Sequence, residues 1–173
     1  VGQALHRYAH LYTLAKGGVV SELNRINHYL SADGMPWLRC VEDSEGKKSL
    51  EEYELAKQPS GWQRHNDARR EQRAKTYALI NELGRTRCSM VTTAKLRELM
   101  TTMKSEGLSD STIQKEIALL KAMFNKARTE WSWKGFENPG NGLKLGKSNQ
   151  RFVFLTKAQE AALWKAISEC DNP

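Results

Sequence analysis

The sequence has no apolar run approaching the roughly 20 residues that a membrane-spanning helix needs. Its first residues, Val1 to Ala9, do not join a basic patch to an apolar stretch, so no secretory signal is expected there. Cysteine is scarce. Cys40, Cys88 and Cys170 are odd in number and far apart, which excludes a disulfide framework and suits a reducing compartment. No CxxC or CxxxxC pair supplies neighbouring thiolates to zinc. The motifs of several common enzyme chemistries are missing as well: no glycine loop with Lys and Ser/Thr to cradle phosphate, no HExxH and no GxSxG. Glu51 and Glu52 are adjacent, and adjacent residues of a helix point to different sides, so they cannot serve one substrate as an acid/base pair. His6 and His10 sit one helical turn apart, yet no third ligand follows at helical spacing. Neither a metal nor a cofactor is expected. Internal repeats and low-complexity segments are absent.

Positive charge is present in excess, and its placement is informative. The net charge is +7. Residues 1–60 hold seven Lys and Arg against eight Asp and Glu, whereas residues 61–157 hold nineteen against nine. A basic middle of this kind attracts an anionic polymer and gains from releasing its counterions.

Helical periodicity dominates the chain. Leu5, Tyr8, Ala9 and Tyr12 recur at three and four residues until Lys16-Gly17-Gly18 breaks the pattern. Val19, Leu23, Ile26, Asn27 and Leu30 mark one side of a second helix, ended by Asp33-Gly34-Met35-Pro36. Together they predict an antiparallel helical hairpin. Trp37, Leu38 and Val41 suit a short extended piece, and Glu42 to Gly46 a solvated loop. Ser49 with Glu52 reads as a capping box, predicting a short helix that stops before Pro59. A long polar helix is expected over about 62–83, its apolar residues gathered late at Tyr77, Ala78, Ile80 and Leu83.

Thr92 or Thr93 caps a helix carrying Leu96, Leu99, Met100 and Met103, closed by Gly107. Ser109 then caps a helix over about 110–131. On it Ile113, Ile117, Leu120, Phe124, Ala127 and Trp131 fall within about 40° of one line, a core-facing stripe. From Gly140 to Gln150 glycines alternate with Lys144, Lys147 and Ser148, the composition of a basic linker. Thr156 and Gln159 form a second capping box for the last helix, which runs to about Cys170. The fold class expected is all-α: a helical bundle preceded by a helical hairpin and a long polar helix.

Three basic patches are candidate DNA contacts. Ser111 and Thr112 at a helix N-terminus, with Lys115 one turn on, could hold a phosphate, while Ser109 serves as the cap. Lys144, Lys147 and Arg151 could follow a DNA backbone along the glycine-rich stretch. Arg69, Arg70 and Arg73, with Arg64, form the third patch. None carries a readable base code. These separated cations are expected to converge, once folded, on a single concave surface sized for a double helix.

The order Gly107 to Ile113, Glu116-Ile117-Ala118-Leu119-Leu120, Phe124-Asn125-Lys126-Ala127, Trp131-Ser132-Trp133, Asn138-Pro139, basic linker and Phe154-Leu155-Thr156 resembles the core-binding domain of tyrosine recombinases of the phage integrase type. Ala4 to Tyr8 with Asn24-Arg25-Ile26 is similar to the first hairpin of such integrases. The resemblance implies a helical core-binding, SAM-like region over 1–139, with 36–87 longer than the family's usual connection. A basic linker at 140–153 follows, and 154–173 opens a catalytic domain. It implies half of a C-shaped clamp on double-stranded DNA, serving DNA integration and recombination, within a parent that works as a tetramer in the cytoplasm of a bacterium or from a phage genome. The chain is then a piece of that longer protein. In the family a tyrosine attacks the scissile phosphate to give a 3′-phosphotyrosyl link. Its first catalytic arginine follows the helix opened here by Thr156, so this fragment is not expected to be an enzyme and no catalytic residue is assigned. Two other readings fit the same residues: a stand-alone helix-turn-helix regulator with Leu108 to Arg128 as recognition helix, and a helical protein–protein adaptor. The regulator is disfavoured because that helix carries a long apolar stripe and few side chains to read base edges.

Overall fold

A computed structural model describes residues 1–54, 67–133, 135–145 and 154–169. The protein is mostly helical. Helix α1 (Gly2–Tyr8) continues into a π-helical turn (Ala9–Thr13), and α2 (Val19–Ala32) returns alongside. The hairpin closes near Lys16, whose ammonium donates to both Glu22 carboxylate oxygens (2.7 and 2.8 Å) and to the Tyr8 hydroxyl. Its open end is tight: a Cβ on Gly2 would sit 2.9 Å from the Asp33 Cβ. Of the apolar positions read from the sequence, Leu5, Tyr8, Ala9, Val19, Leu23, Ile26 and Leu30 are buried, and Tyr12 is half-buried.

The fold is not purely α-helical. Strands β1 (Trp37–Glu42) and β2 (Lys48–Tyr53) form an antiparallel hairpin in which Trp37 pairs with Tyr53 and Cys40 with Leu50. The helix expected from Ser49 is therefore a strand. Its turn explains why. Gly46 adopts φ +79° and donates to the Asp43 carbonyl, while Asp43 Oδ1 accepts from the backbone N–H groups of Glu45 and Lys47. A three-residue loop ending in a left-handed glycine fixes antiparallel pairing, and Arg39 meets Glu51 across the ladder at 3.0 Å. Asn27 ties this hairpin to α2. Buried in the helix's apolar stripe, its amide donates to the Leu38 carbonyl (2.9 Å) and accepts from the Leu38 N–H (2.8 Å).

The expected polar helix divides in two. Residues 67–72 form α3, and α4 (Ala74–Arg85) follows after a break at Arg73; residues 62–66 lie outside the described ones. Gly84 lies where α4 meets α2. A Cβ there would come within 2.7 Å of both the Ala32 Cβ and the Tyr29 carbonyl oxygen, so only glycine allows this approach. Helix α5 (Thr93–Ser105) is capped by Thr92, and α6 (Asp110–Thr129) by Ser109, with Gly107 at φ +78° between them. The α6 stripe is buried from Ile113 to Trp131, as its periodicity predicts. After a 3-10 turn (Cys88–Met90) and the chain's return through α5 and α6, Trp133 and Phe136 pack on the exit of α6, their ring centroids 5.7 Å apart.

Residues 138–140 are buried against the α5–α6 pair. The Asn138 amide donates to the Lys121 carbonyl and to Asn125 Oδ1, both at 2.8 Å, and the Thr93 hydroxyl donates to the Pro139 carbonyl at 2.9 Å. Helix α7 (Lys157–Glu169) starts with the expected capping box, since Gln159 Oε1 accepts from the Thr156 N–H and the Thr156 hydroxyl accepts from the Gln159 N–H. All of its residues are exposed. Among the described residues, no helix is long and apolar enough to cross a membrane.

Two buried polar side chains join α2 to α6. The Tyr29 hydroxyl donates to Glu116 Oε1 at 2.6 Å, and Arg25 Nε lies 3.8 Å from the other carboxylate oxygen. Burial pushes the Glu116 carboxyl up, against the downward pull of the Tyr29 hydrogen bond and the Arg25 charge. Tyr29 is pushed well above its ordinary value, by burial first and then by the neighbouring carboxylate.

Asn27→Leu is expected to destabilise the protein by about 2–4 kcal/mol in urea unfolding, because it strands both backbone groups of Leu38. A cost below about 0.5 kcal/mol, the size of an ordinary surface change, would show that the hairpin does not depend on this link. Because the folded Glu116 binds its proton more tightly than the unfolded chain does, its contribution to stability is complete below about pH 4.3, the ordinary glutamate value, and is lost as pH rises through the raised value. Glu116→Gln, which cannot ionise, should therefore gain in Tm relative to the unsubstituted protein as pH is raised above about 4.3. A Tm difference that stays constant across that range would contradict the assignment.

Candidate nucleic-acid interface

Many cations of the N-terminal half are engaged within the protein. Lys16 is held by Glu22, Arg25 by Glu116, and Arg39 by Glu51. The Arg7 guanidinium lies over the Trp131 ring at 4.7 Å from its centroid. Two cations further along are used in the same way. Lys95 pairs with Glu82, and Lys126 pairs with Glu130 while lying over the Tyr12 ring. Glu130 in turn accepts from the Tyr12 hydroxyl at 2.6 Å. These cations pin surface segments together and are poor candidates for gripping a phosphate.

Of the described cations that remain, Arg97, Lys104 and Lys144 line one concavity and Arg70 and Arg85 line a second with no residue in common, whereas others, among them Arg69, Arg73, Lys115 and Lys121, line neither. The first is a shallow cleft of about 190 Å³ between α5 and the start of α6, roofed by residues 144–145. Arg97, Thr101 and Lys104 reach it from the solvent face of α5, Gln114 from α6, and Lys144 from the strap beyond Pro139. Helical spacing explains the α5 set: positions 97, 101 and 104 follow one another at four and three residues, opposite buried Leu96, Leu99 and Met103. The side chains of Arg97 and Lys144 have no ion-pair partner among the described residues. Lys104 lies 3.7 Å from Asp110, and both are largely exposed, so this pair holds it weakly.

The sequence-predicted phosphate site at the start of α6 is more occupied than its residue types suggest. Ser109 Oγ accepts from the Thr112 N–H at 3.3 Å and lies 2.9 Å from the Thr112 hydroxyl. Asp110 already places a negative charge in the first turn, where the helix dipole favours one. Ser111 and Thr112 are half-buried, whereas Lys115 is exposed and without an ion pair among the described residues. Lys147 and Arg151 lie outside the described residues.

The second concavity, of about 390 Å³, opens between α2, β1 and α4. His28, Trp37 and Tyr77 give it aromatic walls, and Arg70, Asn81 and Arg85 supply donors. His28 stands edge-on to Tyr77, with ring centroids 5.1 Å apart. Burial, and then the Arg70 charge, hold the His28 imidazole below its ordinary value. Arg85 Nε also donates to the Ala32 carbonyl at 2.6 Å, which fixes its head beside the opening. Arg69 is exposed and Arg73 half-buried at the break before α4, and neither lines this concavity.

The α4 N-terminus is closed by the end of α5. Glu106 accepts from the backbone N–H groups of Lys75 (2.9 Å) and Thr76 (3.1 Å). Burial raises the Glu106 carboxyl, but the hydrogen bonds from Thr76 and Lys75 and the Lys75 charge outweigh it and hold the group below its ordinary value. This contact sets Lys75 beside the end of α5 that carries Lys104.

Three contributors escaped the sequence reading: Arg97, Lys104 and Arg85. The spacing of Arg97 and Lys104 on the polar side of a capped helix was the available signal. Arg85 gave none, because its role depends on the α2–α4 crossing. The donors gathered in both concavities are guanidinium, ammonium, amide and hydroxyl groups suited to holding an anion, and the Asp110 carboxylate also lines the first. No family model, no curated protein and no solved structure matches this chain.

Proposed function

We propose that this protein is the DNA-binding part of a site-specific tyrosine recombinase, gripping duplex DNA chiefly through its phosphates. The observation that carries the DNA reading is the α5–α6 cleft, where Arg97 and Lys144 have no ion-pair partner among the described residues and stand beside the weakly held Lys104. Unpaired cations around a concavity keep their full charge for an incoming phosphate, whereas paired ones must first give up a partner. The strap matters to this reading. Asn138, Pro139 and Gly140 are buried against α5 and α6, so Lys144 is delivered to the cleft by a fixed backbone.

The recombinase reading rests on the order of the sequence segments and on two further features. Ser109 and Thr156 cap helices where that order requires helices to begin. Helix α7 leaves Leu163, Trp164 and Ile167 exposed, an apolar face that suits the opening helix of a further domain covering it. Within this proposal the fragment binds and the remainder of the parent cuts and rejoins strands. The parent assembles as a tetramer on DNA, and no catalytic residue belongs to this chain.

Affinity for duplex DNA, read by fluorescence anisotropy, is expected to fall steeply as salt rises. Replacing Arg97 and Lys144 together by Ala should weaken binding to unrelated duplexes alike and lower the slope of log K against log salt by about 2. Replacing Lys47 and Lys48 at the hairpin tip removes the same charge and should change the slope far less. Equal losses from both pairs would show that only net charge matters, and salt-independent binding would overturn the phosphate reading altogether.

A further inference from the structure

We propose that His6, His10 and Glu52 form a binding site for a divalent transition metal, best suited to zinc, that clasps the β-hairpin to the first helix. The two imidazoles come from consecutive turns at the start of the chain, and the carboxylate comes from β2, the strand where the sequence pattern suggested a helix. That substitution of strand for helix is what brings a third ligand to the pair. One ligand atom from each side chain lies within 4.8 Å of the other two, and His6 Nε2 is 3.1 Å from Glu52 Oε1.

The donor set and spacing agree with zinc. Bonds of about 2.0–2.1 Å in a tetrahedron place ligand atoms about 3.3 Å apart, so one edge is already formed. Small side-chain rotations at the exposed His10 and Glu52 would close the others. Two nitrogens and one oxygen leave a fourth position for water, the pattern of zinc sites with three protein ligands.

A simple hydrogen bond between His6 and Glu52 would account for two of the three residues but not for His10. Its ring sits 4.7 Å from that of His6, centroid to centroid, and among the described residues it makes no hydrogen bond. Its backbone lies within the π-helical turn Ala9–Thr13, a local widening of the helix that recurs at functional sites. The site is remote in sequence from the cleft cations, and its occupancy is independent of whether the protein binds DNA.

Titration of the metal-free chain with zinc by calorimetry, and with cobalt by visible absorption, tests the site. One equivalent should bind with a micromolar or tighter Kd, and cobalt should show the intense visible bands of a four-coordinate ion. Zinc at about a hundred times Kd should raise Tm by roughly 5–10 °C. His10→Ala and Glu52→Gln should each weaken zinc binding at least tenfold while leaving the metal-free Tm within a few degrees of the unsubstituted chain. A Kd weaker than about 1 mM, or binding that survives both substitutions undiminished, would overturn the proposal. If either variant fails to fold, His10→Asn, which keeps a polar side chain on the same turn, must show the same loss.

Discussion

Glu116 enters the interior from α6 and meets Tyr29 of α2 there, with Arg25 close to its second oxygen. A buried carboxyl has few tolerable arrangements. It needs its hydrogen-bond donor at short range, so the two helices are held in one relative register wherever this contact persists. The rest of the fold is arranged around the helix that supplies Tyr29. On one side of α2, Gly84 lets α4 approach until a single added carbon would collide. On another, Asn27 offers its amide to both backbone groups of Leu38 and so takes the place of a neighbouring strand. Helix α1 covers a third side. Apolar burial supplies most of the stabilisation, and these polar contacts fix which packing is adopted.

That arrangement sets where charge is left over. Aromatic faces and carboxylates around α1 and α2 engage Arg7, Lys16 and Arg25, whereas α5 turns Arg97 and Lys104 toward solvent and the strap returns Lys144 beside them. A net charge of +7 is therefore less telling than the two cations at one cleft, Arg97 and Lys144, that have no ion-pair partner among the described residues. The second concavity differs in kind. Its aromatic walls and two guanidinium groups suit a flat, anionic group more than a bare phosphate, and it shares no residue with the first. Of the cations foreseen as one continuous surface, Lys144 lines the first concavity and Arg70 the second, Arg69, Arg73 and Lys115 line neither, and Lys147 and Arg151 lie outside the described residues.

The helices were legible because each carried its own signals. Periodic apolar positions, a hydroxyl cap and a closing glycine agreed with one another for α5 and α6, and tertiary packing had nothing to override. The two capping boxes show the limit of such signals. Thr156 and Gln159 form theirs, whereas Ser49 and Glu52 lie in a strand, because the Asp43 to Gly46 turn and the pairing with Trp37 to Glu42 outweigh a local preference worth only about 1 kcal/mol. Asn27 was visible as a polar residue in an apolar stripe, but its partner could not be read without the hairpin. The same holds for Glu52 beside His6 and His10, and for Arg85 beside Arg70. Each pairing joins residues far apart in sequence through a crossing that no local pattern encodes.

In the proposed function, DNA is held at the α5–α6 cleft and its strap. Amide hydrogen exchange, measured on the chain alone and with saturating duplex DNA, tests it most directly. Protection is expected over residues 97–104 and 140–145, with the β-hairpin tip at 43–47 unchanged. Protection confined to the hairpin or to α1, with the cleft exchanging as before, would place the DNA elsewhere on the protein.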